Sequence, residues 1–261
     1  MHWFAFLFYI FLFLFPACST ANGINTSKNV ENPERAIIYW EFASEYYKKK
    51  DYQTALKYYK KALDIHIKTI GENNPDVASL YQKIGNIYFK TGYYKKALEY
   101  YQKSKEIFKS TLGQNNPRIA SLMNDIGDIY RELNNYSKAI NFYHRALEIY
   151  GKSLDKTHPK YINTLLKVAD TYKQQKNYSK ALAYYERALK IYDSKMDKDY
   201  FQMAGITKNI ANIYLNLENY NKSLEYLDKT LEFYKLLYDA NSKEIKDLEN
   251  KILKLKRNLS N

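Results

Sequence analysis

The sequence has a single cysteine, Cys18, so it can form no intramolecular disulfide, and beyond residue 18 it has no thiol nucleophile and no cysteine–zinc site. Its 8 glycines and 5 prolines are too few for an all-β chain dense in turns. No charged side chain precedes Lys28. No G-x-x-x-x-G-K, H-E-x-x-H or G-x-S-x-G occurs, and no G-x-G-x-x-G follows a strand. The histidines are His2, His66, His144 and His158, and none is paired at metal-ligand spacing. The reading is therefore a non-enzyme with no catalytic residue, no metal and no cofactor.

What is present is apolar and aromatic. The chain is 46% hydrophobic, and 29 of its 261 residues are tyrosine, too much apolar surface for a disordered chain. Lysine, glutamate, leucine and alanine suggest helices, in which tyrosine must be held by packing. The net charge is +13. Such a surface favours acidic proteins or an anionic membrane surface as company. The basic residues are spread over every expected helix, without a compact cluster beside exposed stacking aromatics, which argues against nucleic acid.

Trp3 to Phe15 is an unbroken apolar run of 13 residues. A membrane-spanning helix needs about 20, whereas this length suits the core of a secretory signal. Ser19-Thr20-Ala21 allows a cut after Ala21. Phe15-Pro16-Ala17-Cys18 resembles a bacterial lipoprotein box at Ala17 and Cys18 and departs from it at Phe15 and Pro16. Cys18 is the candidate lipidation site, with a cleaved signal and a retained anchor as alternatives. Residues 1–21 are read as signal or anchor and 22–32 as a flexible linker. The chain is expected to be exported, either membrane-tethered or secreted or periplasmic.

Self-comparison gives one period. Pro33, Pro75, Pro117 and Pro159 lie 42 residues apart, as do Ala43, Gly85, Gly127, Ala169 and Ala211. Tyr52, Tyr94, Tyr136, Tyr178 and Tyr220 keep the same register, as do Ala55, Ala97, Ala139, Ala181 and Ser223. They define five units: 33–74, 75–116, 117–158, 159–200 and 201–238. In each, Asn-Pro (His-Pro at 158–159) starts a helix by capping a free N–H and placing proline in the first turn. A turn near Thr91-Gly92, Asn134-Asn135 or Lys176-Asn177 leads to a second helix beginning at the repeated tyrosine. That helix is expected to bury Ala97, Tyr101 and Ile107 in one unit and Ala139, Tyr143 and Ile149 in the next. Gly71 and Gly113 mark left-handed helix ends. The fifth unit departs, with Phe201 for the proline, Gly205 in its first helix, and Ser223, Leu227 and Thr230 at repeat positions. Residues 239–261 read as a capping helix. Asn241 with Glu244 is its expected cap pair, and Ile245, Leu248, Ile252, Leu255 and Leu259 form its apolar stripe.

Tyr81, Ile84-Gly85, Tyr88, Ala97, Tyr101 and Ser104 resemble the tetratricopeptide repeat pattern. So do Ile126-Gly127, Tyr130, Ala139, Tyr143 and Ala146, and Val168-Ala169, Tyr172, Ala181, Tyr185 and Ala188. The long second helix and the Asn-Asn-Pro loop are similar to the kinesin-light-chain type. The resemblance covers residues 33–238. It implies an all-α fold, a right-handed α-solenoid of five helix-turn-helix units closed by the C-terminal helix. It also implies a scaffold that binds a protein or peptide in a groove lined by first helices. Groove positions are then Gln82, Asn86 and Phe89; Asn124, Asp128 and Arg131; Asn163, Leu166, Asp170 and Lys173; and Lys208, Asn212 and Leu215. Asn86, Asp128, Asp170 and Asn212 form one polar series suited to holding an extended peptide backbone. The lysine–asparagine–arginine clamp for chaperone tails is incomplete: Trp40, Gln82, Asn124 and Leu166 stand where lysine is needed. Two rivals remain at this point. One is an accessory or sensor module whose catalytic part is on another chain. The other is an electrostatic binder of acidic partners or anionic membrane.

Overall fold

A computed structural model describes residues 33–260. The apolar run, Cys18, the linker and the Asn32 cap lie outside the described residues. The described residues form eleven helices and no strand. Five hairpins follow one another: α1 (Pro33–Lys48) with α2 (Tyr52–Ile70), α3 (Pro75–Lys90) with α4 (Tyr94–Leu112), α5 (Pro117–Glu132) with α6 (Tyr136–Ser153), α7 (Pro159–Gln174) with α8 (Tyr178–Asp193), and α9 (Tyr200–Asn216) with α10 (Tyr220–Leu237). Helix α11 (Lys243–Ser260) packs on α10. The all-α solenoid expected from the sequence is the fold observed.

The helix ends follow the side-chain chemistry. Asn74 and Asn116 accept through Oδ1 from the N–H groups of Asp76 at 2.8 Å and Arg118 at 2.9 Å. His158 does the same through Nδ1, from Lys160 at 3.1 Å. The fifth unit, lacking proline, starts one residue before Phe201 and is capped by Asp199, which accepts from Gln202 N–H at 3.0 Å. Helix α11 corrects the sequence reading. It begins after Ser242, not Asn241, and Ser242 Oγ accepts from Ile245 N–H at 3.4 Å.

The turn inside each unit has one left-handed residue, in register across the array: Lys50, Gly92, Asn134, Lys176 and Glu218, with φ between 56° and 79°. The next residue's N–H bonds back to a tyrosine carbonyl at the end of the first helix, as in Tyr93 to Tyr88 at 2.8 Å and Asn135 to Tyr130 at 2.8 Å. Such a doubly bonded end satisfies carbonyls that the helix leaves free. Gly71 and Gly113 have φ of 84° and 82°, but their ψ of 158° and 156° is extended. That region is open almost only to glycine.

Close helix contact explains the small residues. A Cβ on Gly85 would stand 2.6 Å from the Tyr101 ring, and one on Gly127 would stand 2.5 Å from Tyr143 Cε1. Ala55, Ala97, Ala139 and Ala181 are fully buried. Ile107 and Ile149 are only half-buried, and the neighbouring Phe108 and Tyr150 fill the interior in their place. Ala97, Tyr101, Ser104 and Phe108 follow in steps of four, three and four, a single helical stripe, as do Ala139, Tyr143, Ala146 and Tyr150, and Ile107 and Ile149 lie to one side of it. Tyr88 stacks on Tyr100 at 5.3 Å, and the equivalent pair Tyr130–Phe142 stacks at 5.4 Å. The replaced positions of the fifth unit are satisfied: Ser223 Oγ donates to the Ala211 carbonyl at 3.0 Å, and Thr230 pairs with Thr207 at 2.9 Å.

Candidate functional site

First helices of successive units lie side by side, and α3 reaches α5 directly. The candidate groove residues stand along this layer, and most of them already hold other parts of the protein.

At the register of the polar series this happens within each of the first four units. Tyr101 Oη donates to Asn86 Oδ1 at 2.7 Å, and Tyr143 Oη to Asp128 Oδ1 at 2.7 Å. Tyr185 Oη donates to Asp170, and Tyr59 pairs with Ser44 at 3.0 Å. Burial raises the pKa of Tyr101, Tyr143 and Tyr185, and nearby carboxylates raise it further, so each phenol keeps its proton and remains a donor. The ring packed against the small residue is thus tethered by the very next side chain of the first helix.

A second set of contacts crosses the unit boundaries. Gln82 Nε2 donates to Asp125 Oδ2 at 2.6 Å and to Ser121 Oγ at 3.3 Å. Lys167 pairs with Asp128. Lys173 Nζ donates to Asn209 Oδ1 at 2.9 Å and lies 3.3 Å from Asp170. Lys251 of α11 donates to Asn212 Oδ1 at 3.0 Å. Burial pushes the Asp125 carboxyl up to about 6, against the opposing pull of the Gln82 hydrogen bond and of Lys167. Sequence reasoning missed Asp125, Lys167 and Asn209 as members of this network. Their signal was the alternation of Lys83, Asp125 and Lys167 at the 42-residue spacing.

Two polar atoms of α5 are buried without a hydrogen-bond partner, as is His66 Nδ1 of α2. Asn124 is buried and donates to Thr164 Oγ1 at 2.8 Å, yet its Oδ1 has no hydrogen-bond partner. Arg131 Nε is likewise buried and unpartnered, while its guanidinium lies 3.5 Å from Glu132 and 4.0 Å from Asp128. Asn163 and Lys208 are exposed. Asn163 and Leu166 line a cleft of about 570 Å³ with Tyr192, Asp199 and Gln202. Phe89 is half-buried, with its ring 5.9 Å from that of Tyr94. Leu215 is half-buried too. Among the described residues no group of three His, Cys, Asp or Glu side chains is arranged to hold a metal ion. No helix there is long and apolar enough to cross a membrane.

The profile of the tetratricopeptide repeat family matches residues 34–110, 79–152 and 118–194 in overlapping registers. The chain belongs to the tetratricopeptide repeat family. Repeats of this kind generally mediate protein–protein interactions and are generally non-catalytic scaffolds. A second profile, described as "Uncharacterized protein conserved in bacteria (DUF2225)", matches residues 157–260 and so overlaps the last two units and α11. No curated protein matches the chain.

Solved tetratricopeptide structures share the fold. BtubC (BKLC) from P. vanneervenii superposes with a TM-score of 0.68 at 19% identity, covering 77% of this chain and 81% of that one. A putative kinesin light chain of Podosopora anserina with nearly identical TPR-like repeats gives 0.68 at 18% identity, covering 80% of this chain and 100% of that one. The apo form of RapI gives 0.59 at 22% identity, covering 89% and 87%. At these identities the likeness is one of fold.

Proposed function

We propose that this tetratricopeptide protein is a non-catalytic scaffold that holds an extended segment of a protein partner along its first-helix layer. The observation that carries this reading is the free amide end of Asn86, half-buried on the first-helix layer: only its oxygen is used by Tyr101, so its N–H groups remain available to the carbonyls of a partner backbone. Asn163 and Lys208 stand exposed farther along the same layer. The apolar run Trp3 to Phe15 and Cys18 support an exported compartment for this work, on a membrane tether or free of it.

The test is site-specific photo-crosslinking in the native cell. A photoreactive residue at Phe89, on the first-helix layer, should trap a protein. One at Tyr93, exposed at the turn, should not. Equal trapping at both, or none at Phe89, would overturn the reading.

A second reading has its own observation. The second helices near the amino end are basic, as is α11. Helix α2 has Lys57, Lys60, Lys61 and Lys68 against Asp64 alone, whereas α5 has more acidic than basic side chains. That face suits an anionic membrane, as a surface beside the tether and not as an alternative to the groove. Binding to anionic vesicles that vanishes at high salt would support it; salt-independent or absent binding would remove it.

A further inference from the structure

The first helix carries a contact surface at positions that every later unit buries. In α3 the residues Val77, Leu80, Ile84 and Ile87 face the preceding hairpin, and each is at most 1% exposed. The same register positions in α5, α7 and α9 are buried as well, the most exposed being Ile126 at 6%. In α1 these positions are Arg35, Ile38, Phe42 and Glu45. Ile38 is 46% exposed and Phe42 50% exposed, and no described helix covers them.

The pattern of those four residues indicates what covers them. Charge, apolar, apolar, charge stand at i, i+3, i+7 and i+10, the spacing of a helix-pairing seam. Read backwards, the pattern is unchanged except that the two charges exchange sign. Two copies of α1 laid antiparallel therefore complement each other. Ile38 of each meets Phe42 of the other, and Arg35 of each meets Glu45 of the other, twice by symmetry. Neither charge is held firmly elsewhere: Arg35 reaches Tyr39 Oη at only 3.4 Å, and Glu45 lies 3.5 Å from Lys49 on open surface.

We infer that α1 is a self-association surface whose partner is a second copy of this chain, joined through an antiparallel pair of α1 helices. In the dimer the two arrays extend away from a shared centre. One helix-wide seam is smaller than the about 800 Å² per partner typical of a stable interface, so the association is concentration dependent. This inference stands apart from the groove, because none of the four residues belongs to the peptide-binding set.

Sedimentation velocity of the full chain in mild detergent, over a wide protein concentration range, tests it. The wild type should shift from monomer to dimer as concentration rises. Arg35→Glu and Glu45→Arg should each weaken the dimer by roughly tenfold or more, because each sets two like-charged pairs face to face. The double variant Arg35→Glu with Glu45→Arg should recover wild-type association, since the seam is again self-complementary. Phe42→Asp should abolish association and lower the melting curve only slightly, its ring being half exposed and lying 5.7 Å from that of Tyr58. A wild type that stays monomeric at every concentration would overturn the inference. So would a dimer indifferent to the single exchanges, or one that the double exchange fails to recover.

Discussion

Lys251 reaches back from the last helix to donate to Asn212 Oδ1 at 3.0 Å. Asn212 occupies the register position that in the second, third and fourth units accepts a tyrosine hydroxyl from the second helix. In the fifth unit that tyrosine is Leu227, which is fully buried and brings no hydroxyl. The closing helix therefore supplies the missing donor. A double-mutant cycle with Asn212→Ala and Lys251→Met should give a coupling energy of about 0.5–1 kcal/mol in urea unfolding. Zero coupling would make the contact incidental.

Asn86 has two tasks, and they can be separated. Asn86→Ala leaves the buried Tyr101 hydroxyl without its acceptor and should cost about 1–2 kcal/mol of stability. Adding Tyr101→Phe should return most of that loss. Partner crosslinking from Phe89 should fall in Asn86→Ala and stay low in the double variant. Recovery of crosslinking together with stability would show that Asn86 serves the fold alone.

Asp125 sets a pH dependence. Its carboxyl titrates near 6 in the folded chain because burial disfavours the charged form. Between the ordinary carboxylate range and that value the folded state holds a proton that the unfolded state has lost. Stability at this site is therefore greatest in acid and declines as pH rises through about 4 to 6. Asp125→Asn keeps an acceptor for Gln82 and removes the charge. It should be nearly neutral at pH 4.5 and stabilising by about 1–2 kcal/mol at pH 7.5, measured by urea unfolding at both. Destabilisation at the higher pH would mean that attraction to Lys167 outweighs burial.

Two glycines should respond in opposite directions. Gly127→Ala drives a methyl into the Tyr143 ring, which is pinned by Asp128, and should cost about 1–3 kcal/mol. Ala169 tolerates Tyr185 at the equivalent place, so the fold should survive. Gly205→Ala meets nothing within 4 Å in an exposed helix interior and should add about 1 kcal/mol. Thermal melts of the two variants should move apart.

The turn residues offer a similar contrast. Lys176 and Glu218 hold φ of 59° and 56°, where a side chain is strained. Each replaced by glycine should gain up to about 1 kcal/mol, and Gly92→Ala should lose a comparable amount. Unchanged melting temperatures in all three would refute the strain argument.

The helices and their caps were legible in the sequence because each depends on neighbours within about a turn, and the small residues between them because they recur at the 42-residue period. Asn74 and Asn116 cap where their Asn-Pro dipeptides place them. Ser242 was missed because serine and asparagine are equally good caps and stand side by side there. The groove was legible only as a set of positions. Whether Asn86 or Asp128 faces a partner or a tyrosine depends on residues 15 positions away, and the cross-unit bonds join residues 36–43 positions apart. A local pattern cannot show which of two acceptable partners a polar side chain takes.

The repeated helix start at Asn74-Pro75, Asn116-Pro117 and His158-Pro159 also bears on how such an array can change over generations. Each block begins with the same kind of signal and meets its predecessor through the same four positions. A stretch of coding sequence one block long, lost or copied in frame at such a step, would leave two compatible faces in contact. The number of blocks is then a heritable variable that can lengthen or shorten the layer presented to a partner without a new fold having to arise.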